Sequence, residues 1–289
     1  MIGGDVRKAR PIAPGLYVVA TPIGNLGDMT LRGLETLAAA SVIACEDTRV
    51  TGRLASHFGL RVPLTPYHEH NAAEMRPRLL ARLAAGEVVA LVSDAGTPLV
   101  SDPGFKLVDA AREAGYPVIP IPGPSALLAA LVAAGLPTDA FFFDGFLPAK
   151  GGERRSRLAV LKAIPGTLVL FETGPRLAAS LADAATVLGP RLAAVCRELT
   201  KLHEEIRRAP LPDLAAHYAE AGAPKGEIVV VIEPPGEAPA LPEADVDAML
   251  TSALRHGSVK DAAAAVSEAT GLPKRDLYQR ALALQGRSA

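Results

Sequence analysis

Residues 86–113 read GEVVALVSDAGTPLVSDPGFKLVDAARE, and this stretch decides the fold class. Glu87 to Val92 reads as a strand: from Val88 on it is an unbroken apolar run rich in β-branched residues, the pattern of a strand buried on both faces. Ser93 to Gly104 then places two Ser-Asp pairs, two glycines and two prolines within twelve residues. Pro fixes φ, Gly permits unusual φ, and Asp and Ser hydrogen-bond locally, so this is a stiff loop presenting backbone groups. A plain turn needs none of that, which points to a binding role. Leu107, Val108 and Ala111 follow at helical spacing.

The same unit repeats on both sides. Leu16–Ala20, Val42–Cys45, Leu64–Tyr67 and Val118–Ile121 read as strands, with helical spacing at Leu31/Leu34/Leu37, 53–58, 75–85 and 125–134. Alternating strands and helices predict a mostly parallel sheet covered on both faces, with ligands bound by the loops at the strands' carboxyl ends. From Thr138 a second block offers strands at 141–145, 167–172, 192–198 and 226–233, with helices near 154–163, 175–188 and 211–221. A Pro-rich stretch, PPGEAPALP from Pro234 to Pro242, precedes three short helical patterns near 243–255, 259–269 and 274–284. The expected organisation is α/β: a flexible leader 1–14, α/β domains 15–123 and 124–235, a linker 236–242 and a helical tail 243–289.

The 289 residues carry a formal net charge of −1, 49% hydrophobic and 21% charged residues, an ordinary globular composition. Aromatics make up 4% with no Trp, which excludes a base-stacking platform of many rings. Basic charge is local: five Lys/Arg against one Glu from Lys150 to Lys162, and six against three acidic residues from Arg255 to Ala289. Either run alone reads better as solvated surface, and the presence of two shifts the balance toward a polyanionic partner. Cys45 and Cys196 sit in apolar runs, as reduced buried thiols do. No signal-peptide core, membrane-length apolar segment or metal-type Cys/His spacing is visible, so a cytoplasmic protein without metal is expected.

Four further segments are candidates for chemistry. ATPIGNLGDMT, Ala20 to Thr30, is neither a Walker A loop nor GxGxxG, so neither ATP nor NAD is indicated. In CEDTRVTG, Glu46, Asp47 and Arg49 follow a buried strand; the bland alternative is a self-satisfied ion pair. YHEHN would set His68 and His70 on one face if the segment is extended, suited to proton transfer or phosphate contact, with a structural hydrogen bond as the alternative for either, while zinc would need further ligands. In PIPGPSA, Ser125 can cap the next helix, or its helix start can meet a ligand.

ATPIGNLGD, EDTR, HEHN, VSDAGTPLVSDPG, PGPSA, AAGLPTD, GFLPAKGGERR, FET, RELTK and KGEIVVVIE occur in that order from about Leu16 onward. Together they resemble the bacterial small-subunit rRNA (cytidine 2′-O) methyltransferases, within the tetrapyrrole methylase superfamily. The resemblance implies two α/β domains with S-adenosyl-L-methionine in the cleft between them, a helix-turn-helix tail and a homodimer. It implies methylation of the ribose 2′-oxygen of a cytidine in the decoding region of 16S rRNA, within the small ribosomal subunit. Motif by motif, it places the cofactor on Pro22, Gly24, Ser93, Asp94, Ala95, Gly96, Thr97, Pro98, Val100, Ser101, Ser125, Ala126, Phe171, Glu172, Leu199 and Gly226.

The residues that a base for the 2′-hydroxyl would come from are Asp47, Glu46, His68 and His70. RNA phosphates would be met by Arg49, Lys150, Arg154, Arg155, Arg157, Lys274 and Arg275. One departure is FETGPRL: Gly174 and Pro175 stand where relatives often carry a Pro-His pair, and only Arg176 matches. A tetrapyrrole methyltransferase is the main alternative, disfavoured by the basic GFLPAKGGERR segment and tail. A non-catalytic nucleic-acid-binding protein is the other, disfavoured by the dense Gly, Asp and Pro of the loops.

Overall fold

The β-branched runs become strands because each can bury both faces. A computed structural model describes residues 9–99, 104–236 and 243–286, in two compact units, Met1–Pro235 and Gly236–Ala289. In the first unit, β1 (Gly15–Val19), β2 (Val42–Cys45), β3 (Leu64–Pro66), β4 (Val88–Leu91) and β5 (Val118–Ile121) form one sheet in the order β3-β2-β4-β1-β5, all pairs parallel. Helices α1 (Leu31–Ala39), α2 (Thr48–His57), α3 (Ala72–Ala84), α4 (Phe105–Glu113) and α5 (Ala126–Ala133) punctuate it.

Successive strand residues face opposite sides. Leu16, Val42, Val89 and Leu91 pack with Leu79, Leu83 and Leu107 of α3 and α4, while Tyr17, Val19, Ile43 and Ala90 pack with Leu37 of α1. Ile12, within the expected leader, lies against the second of these clusters. Helix α2 begins at Thr48, five residues before the apolar spacing shows, because Asp47 caps it by accepting a hydrogen bond from Arg49 N at 2.8 Å.

The second sheet differs in kind. Its strands are β6 (Phe141–Phe146), β7 (Thr167–Thr173), β8 (Leu192–Arg197), β9 (Glu205–Pro210) and β10 (Glu227–Ile232), in the order β6-β7-β10-β8-β9. Only β6–β7 is parallel; β10 runs antiparallel to both neighbours, and β8–β9 is a hairpin. Strand β9, EIRRAP, carries no apolar alternation and went unread in the sequence. Its stability comes from pairing with β8, and its charged side chains suit a sheet edge. Helices α6 (Gly151–Leu161), α7 (Gly174–Leu188) and α8 (Leu211–Ala221) cover one face with Leu158, Leu161, Leu177, Leu181, Leu211 and Leu214. Ala130, Leu131 and Ala134 from the α5 region, with Ile23, cover the other face.

The second unit is a three-helix cluster of α9 (Glu243–Leu254), α10 (Val259–Thr270) and α11 (Lys274–Gly286) around Val246, Leu250, Val266 and Leu277. Ser258 and Asp261 form a capping box at the start of α10, and Gly271 ends that helix at φ 72°.

Candidate active site

Parallel strands deliver their loops to one edge of a sheet, and here those loops are cross-braced. Thr21 and Gly96 exchange backbone hydrogen bonds at 2.9 and 3.0 Å. Thr21 Oγ1 donates to Ser93 O at 3.2 Å, and Ser93 Oγ donates to Ala95 O at 3.1 Å. Thr97 Oγ1 donates to Pro124 O at 3.1 Å, tying the loop after β4 to the one after β5. Gly96 takes φ 78°, readily available only to glycine, whereas Leu99 holds φ 77° at the strain an ordinary side chain incurs there.

This scaffold and the second sheet wall a cavity of about 290 Å³, at the lower edge of the ~300–1,000 Å³ usual for small-molecule sites. Of the residues expected at the cofactor, Ala95, Gly96, Thr97, Ser125, Ala126, Phe171, Glu172, Leu199 and Gly226 line it. Pro22, Gly24, Ser93, Asp94 and Pro98 do not; Ser93 and Asp94 brace the loops, and Pro22 and Pro98 are buried. Val100 and Ser101 lie outside the described residues. Ile23, Leu127, Phe146, Thr173, Cys196, Glu227, Ile228 and Val229 also line the cavity. Ile23, Phe146, Thr173, Glu227, Ile228 and Val229 fall inside the quoted motifs, and Leu127 and Cys196 just beside them; the apolar ones read as ordinary core. Ser125 serves both readings: it caps α5, accepting from Leu128 N at 3.5 Å, and faces the cavity.

Glu172 is a buried carboxylate in the wall. It accepts from Thr173 N at 2.8 Å and from the Ser180 hydroxyl, and Arg176 Nε lies 3.2 Å away. Gly174, the departure in FETGPRL, is explained locally: a Cβ there would fall 1.8 Å from Pro224 O. Cys196 is a wall residue rather than a nucleophile, because burial pushes its thiol up to about 12.

Comparison with known proteins identifies this arrangement. Residues 15–215 match the family of Tetrapyrrole (Corrin/Porphyrin) Methylases, and residues 240–285 match the RsmI C-terminal HTH domain. A ribosomal RNA small subunit methyltransferase I of Mesorhizobium japonicum is 55% identical over 100% of this chain and 98% of its own. The chain belongs to the ribosomal RNA small subunit methyltransferase I family. It is a methyltransferase, and the methyl donor of the family is S-adenosyl-L-methionine. Uroporphyrin-III-C-methyltransferase from Thermus thermophilus superposes with a TM-score of 0.54 at 25% identity, covering 75% of this chain and 94% of that one. The same enzyme in a complex with S-adenyl homocysteine gives 0.53 at 20% identity, over 75% and 96%, a likeness of fold.

Beside the cavity of this methyltransferase lies a polar cluster. Cys45 pairs with Pro66 and Ala44 with Leu91, so Glu46, His68 and Asp94 emerge from adjacent strand ends. Asp94 Oδ1 accepts from Asp47 N at 3.0 Å, linking the cluster to Ala95 in the wall. Burial and the nearby Asp94 raise Glu46 above the ordinary carboxylate range, which makes it a better proton acceptor. Asp47 goes the other way: hydrogen bonds from Arg49 hold it at about 2, and it is spent as a helix cap and ion-pair partner. These bonds occupy the Asp47 carboxylate, one of the four groups expected to supply a base. His68 N donates to Asn71 Oδ1 at 2.9 Å, while His68 Nδ1 is buried with no hydrogen-bond partner among the described residues. His70 is exposed, its ring 6.0 Å from that of His68. Among the described residues no group of three or more His, Cys, Asp or Glu is placed to hold a metal, and no helix is long and apolar enough to cross a membrane.

The basic segment is less free than its sequence suggests. Arg154 is buried: its side chain is 7% exposed, donates to Asp183 at 2.8 Å and to Ala149 O at 3.1 Å. Its guanidinium is committed to this buried ion pair, at a position where a phosphate contact was expected. Arg155 shares Asp183 at 3.0 Å, and Arg157 is paired with Asp144. Lys150 and Arg49 are exposed and pair at the surface with Glu153 and Asp47. Lys274 and Arg275 are exposed at the start of α11.

Proposed function

We propose that this methyltransferase acts on 16S rRNA, transferring a methyl group to the ribose 2′-oxygen of a cytidine in the decoding region of the small ribosomal subunit. The observation that carries the reading is the end-to-end match, tail included, to a ribosomal RNA small subunit methyltransferase. The tetrapyrrole alternative is weaker, because the uroporphyrin methyltransferase aligns almost whole yet reaches only 75% of this chain. The cytoplasm and a homodimeric state belong to the same reading, as do α/β halves 15–123 and 124–235. The packing of Ala130 and Leu131 on the second sheet supports dividing the halves just before α5.

The cavity suits S-adenosyl-L-methionine in kind: apolar walls at Ile23, Leu127 and Val229, backbone groups at Ala95–Thr97, and carboxylates at Glu172 and Glu227. That donor supplies a sulfonium-activated methyl group. The chain's part is to orient it, exclude water and accept the hydroxyl proton. Proximity contributes up to ~7–11 kcal/mol in well-aligned cases. A positioned base adds ~10²–10⁴-fold, and Glu46 with His68 is the better placed pair. Phosphate contacts would come from Lys150, Arg155, Arg157, Arg49, Lys274 and Arg275.

The test is methyl transfer from labelled donor to small subunits of a strain lacking this gene, with the modified nucleotide mapped. A single 2′-O-methylcytidine is expected; methylation of a precorrin-type substrate instead would overturn the reading. Glu46→Gln and His68→Ala should lower turnover about 10²-fold or more with donor binding retained.

A further inference from the structure

The loop after β8, Glu198 to Lys201, is strained and tightly held. Glu198 and Thr200 are non-glycine residues at φ 51° and 67°, and Thr200 Oγ1 is buried without a hydrogen-bond partner among the described residues. Between them Leu199 faces the cavity. Strain of this kind persists only where surrounding contacts over-determine it. Here they do. Lys201 Nζ donates to Glu198 Oε1 at 2.8 Å and to Glu227 Oε2 at 3.1 Å, and Glu198 Oε1 also accepts from Glu227 N at 3.0 Å. A Cβ on Gly226 would fall 2.4 Å from the Glu198 carboxylate, so glycine is needed for that approach.

The lysine stem reaches the other wall. A Cβ on Gly24 would lie 2.4 Å from Lys201 Cγ and 2.6 Å from Cε, so the stem occupies the space that glycine leaves. Ile23 beside Gly24 and Glu227 at the lysine's head both line the cavity. With its head held by two carboxylates, the stem cannot swing away without breaking an ion pair.

We propose that Lys201 is a positioning residue for the methyl donor, a strut that sets the separation between the Ile23–Gly24 turn and the start of β10. This rests on the reading of the cavity as the donor site. The strut pre-organises the cavity, and its loss should be felt in donor binding rather than in the chemical step.

The experiment is calorimetric titration of the full chain with S-adenosyl-L-methionine and with S-adenosylhomocysteine, alongside steady-state kinetics. Lys201→Met keeps the stem and removes both ion pairs; it should weaken both ligands about ten-fold or more, raising KM for the donor while kcat at saturation stays near wild type. Lys201→Arg should restore part of the affinity. Glu198→Gln, which removes the other carboxylate that holds the lysine and does not line the cavity, should weaken binding about three-fold and serves if Lys201→Met folds poorly. Wild-type affinity in Lys201→Met or in Glu198→Gln, or a fall in kcat with KM unchanged, refutes the strut. If the wild-type chain itself binds neither ligand, the donor reading fails, and the strut's role fails with it.

Discussion

Replacing Arg154 by Met separates a structural arginine from an RNA contact. Arg154 and Asp183 are 7% and 14% exposed, and the guanidinium also holds Ala149 O. Removing one partner of a buried ion pair costs about 3–5 kcal/mol. Arg154→Met belongs at the low end, because Asp183 keeps Arg155 at 3.0 Å and the Met stem fills most of the vacated apolar volume. Asp183→Asn belongs at the high end, since it leaves Arg154 buried without its counter-charge. At roughly 2–4 °C per kcal/mol for a unit of this size, the expected falls in Tm are about 6–12 °C and about 10–20 °C. Calorimetric melting of the full chain measures both. Asp183 is held below its ordinary value by Arg155 and Arg154 against the opposing effect of burial, so its contribution is present above the unfolded pKa near ~4 and is lost as pH falls through the folded value. The deficit of Asp183→Asn should therefore shrink in acid. The salt dependence of RNA binding should be unchanged in Arg154→Met. A variant with wild-type Tm and a slope reduced by about one phosphate's worth would refute the reasoning and return Arg154 to the interface.

Gly174→Ala drives a methyl into Pro224 O and should cost at least ~1–3 kcal/mol, read as a lower denaturant midpoint; an unchanged midpoint would show that the 224 turn yields freely. Cys45 and Cys196 are both buried with thiols raised by burial, Cys196 to about 12. A thiol reagent at pH 8 should label neither in the folded protein and both in denaturant, and a fast-reacting native thiol would contradict the burial. Lys274→Ala with Arg275→Ala should reduce the RNA salt slope by up to ~2 while leaving donor affinity unaltered; an undiminished slope removes the start of α11 from the interface.

Much was legible before the structure. Runs such as VVAL and VIAC read as strands because they are short, apolar and rich in β-branched residues, and the Gly- and Pro-dense loop after β4 announced a site. Periodicity and turn chemistry are local properties, so the order of elements and the position of the loops follow from them. Strand β9 escaped for the same reason: a polar edge strand has no local signature, only a partner.

The sequence alone determined most of the strands and helices, β9 excepted, and which loops are too rich in Gly, Pro, Asp and Ser to be mere turns. Only the tertiary structure decided what the charged residues do. Arg154 and Asp183 are 29 positions apart, and Lys201 meets Gly24 across the cavity and Glu227 from another strand. Whether a charge is free for a ligand depends on the neighbours that folding brings to it, and no spacing along the chain encodes that distance.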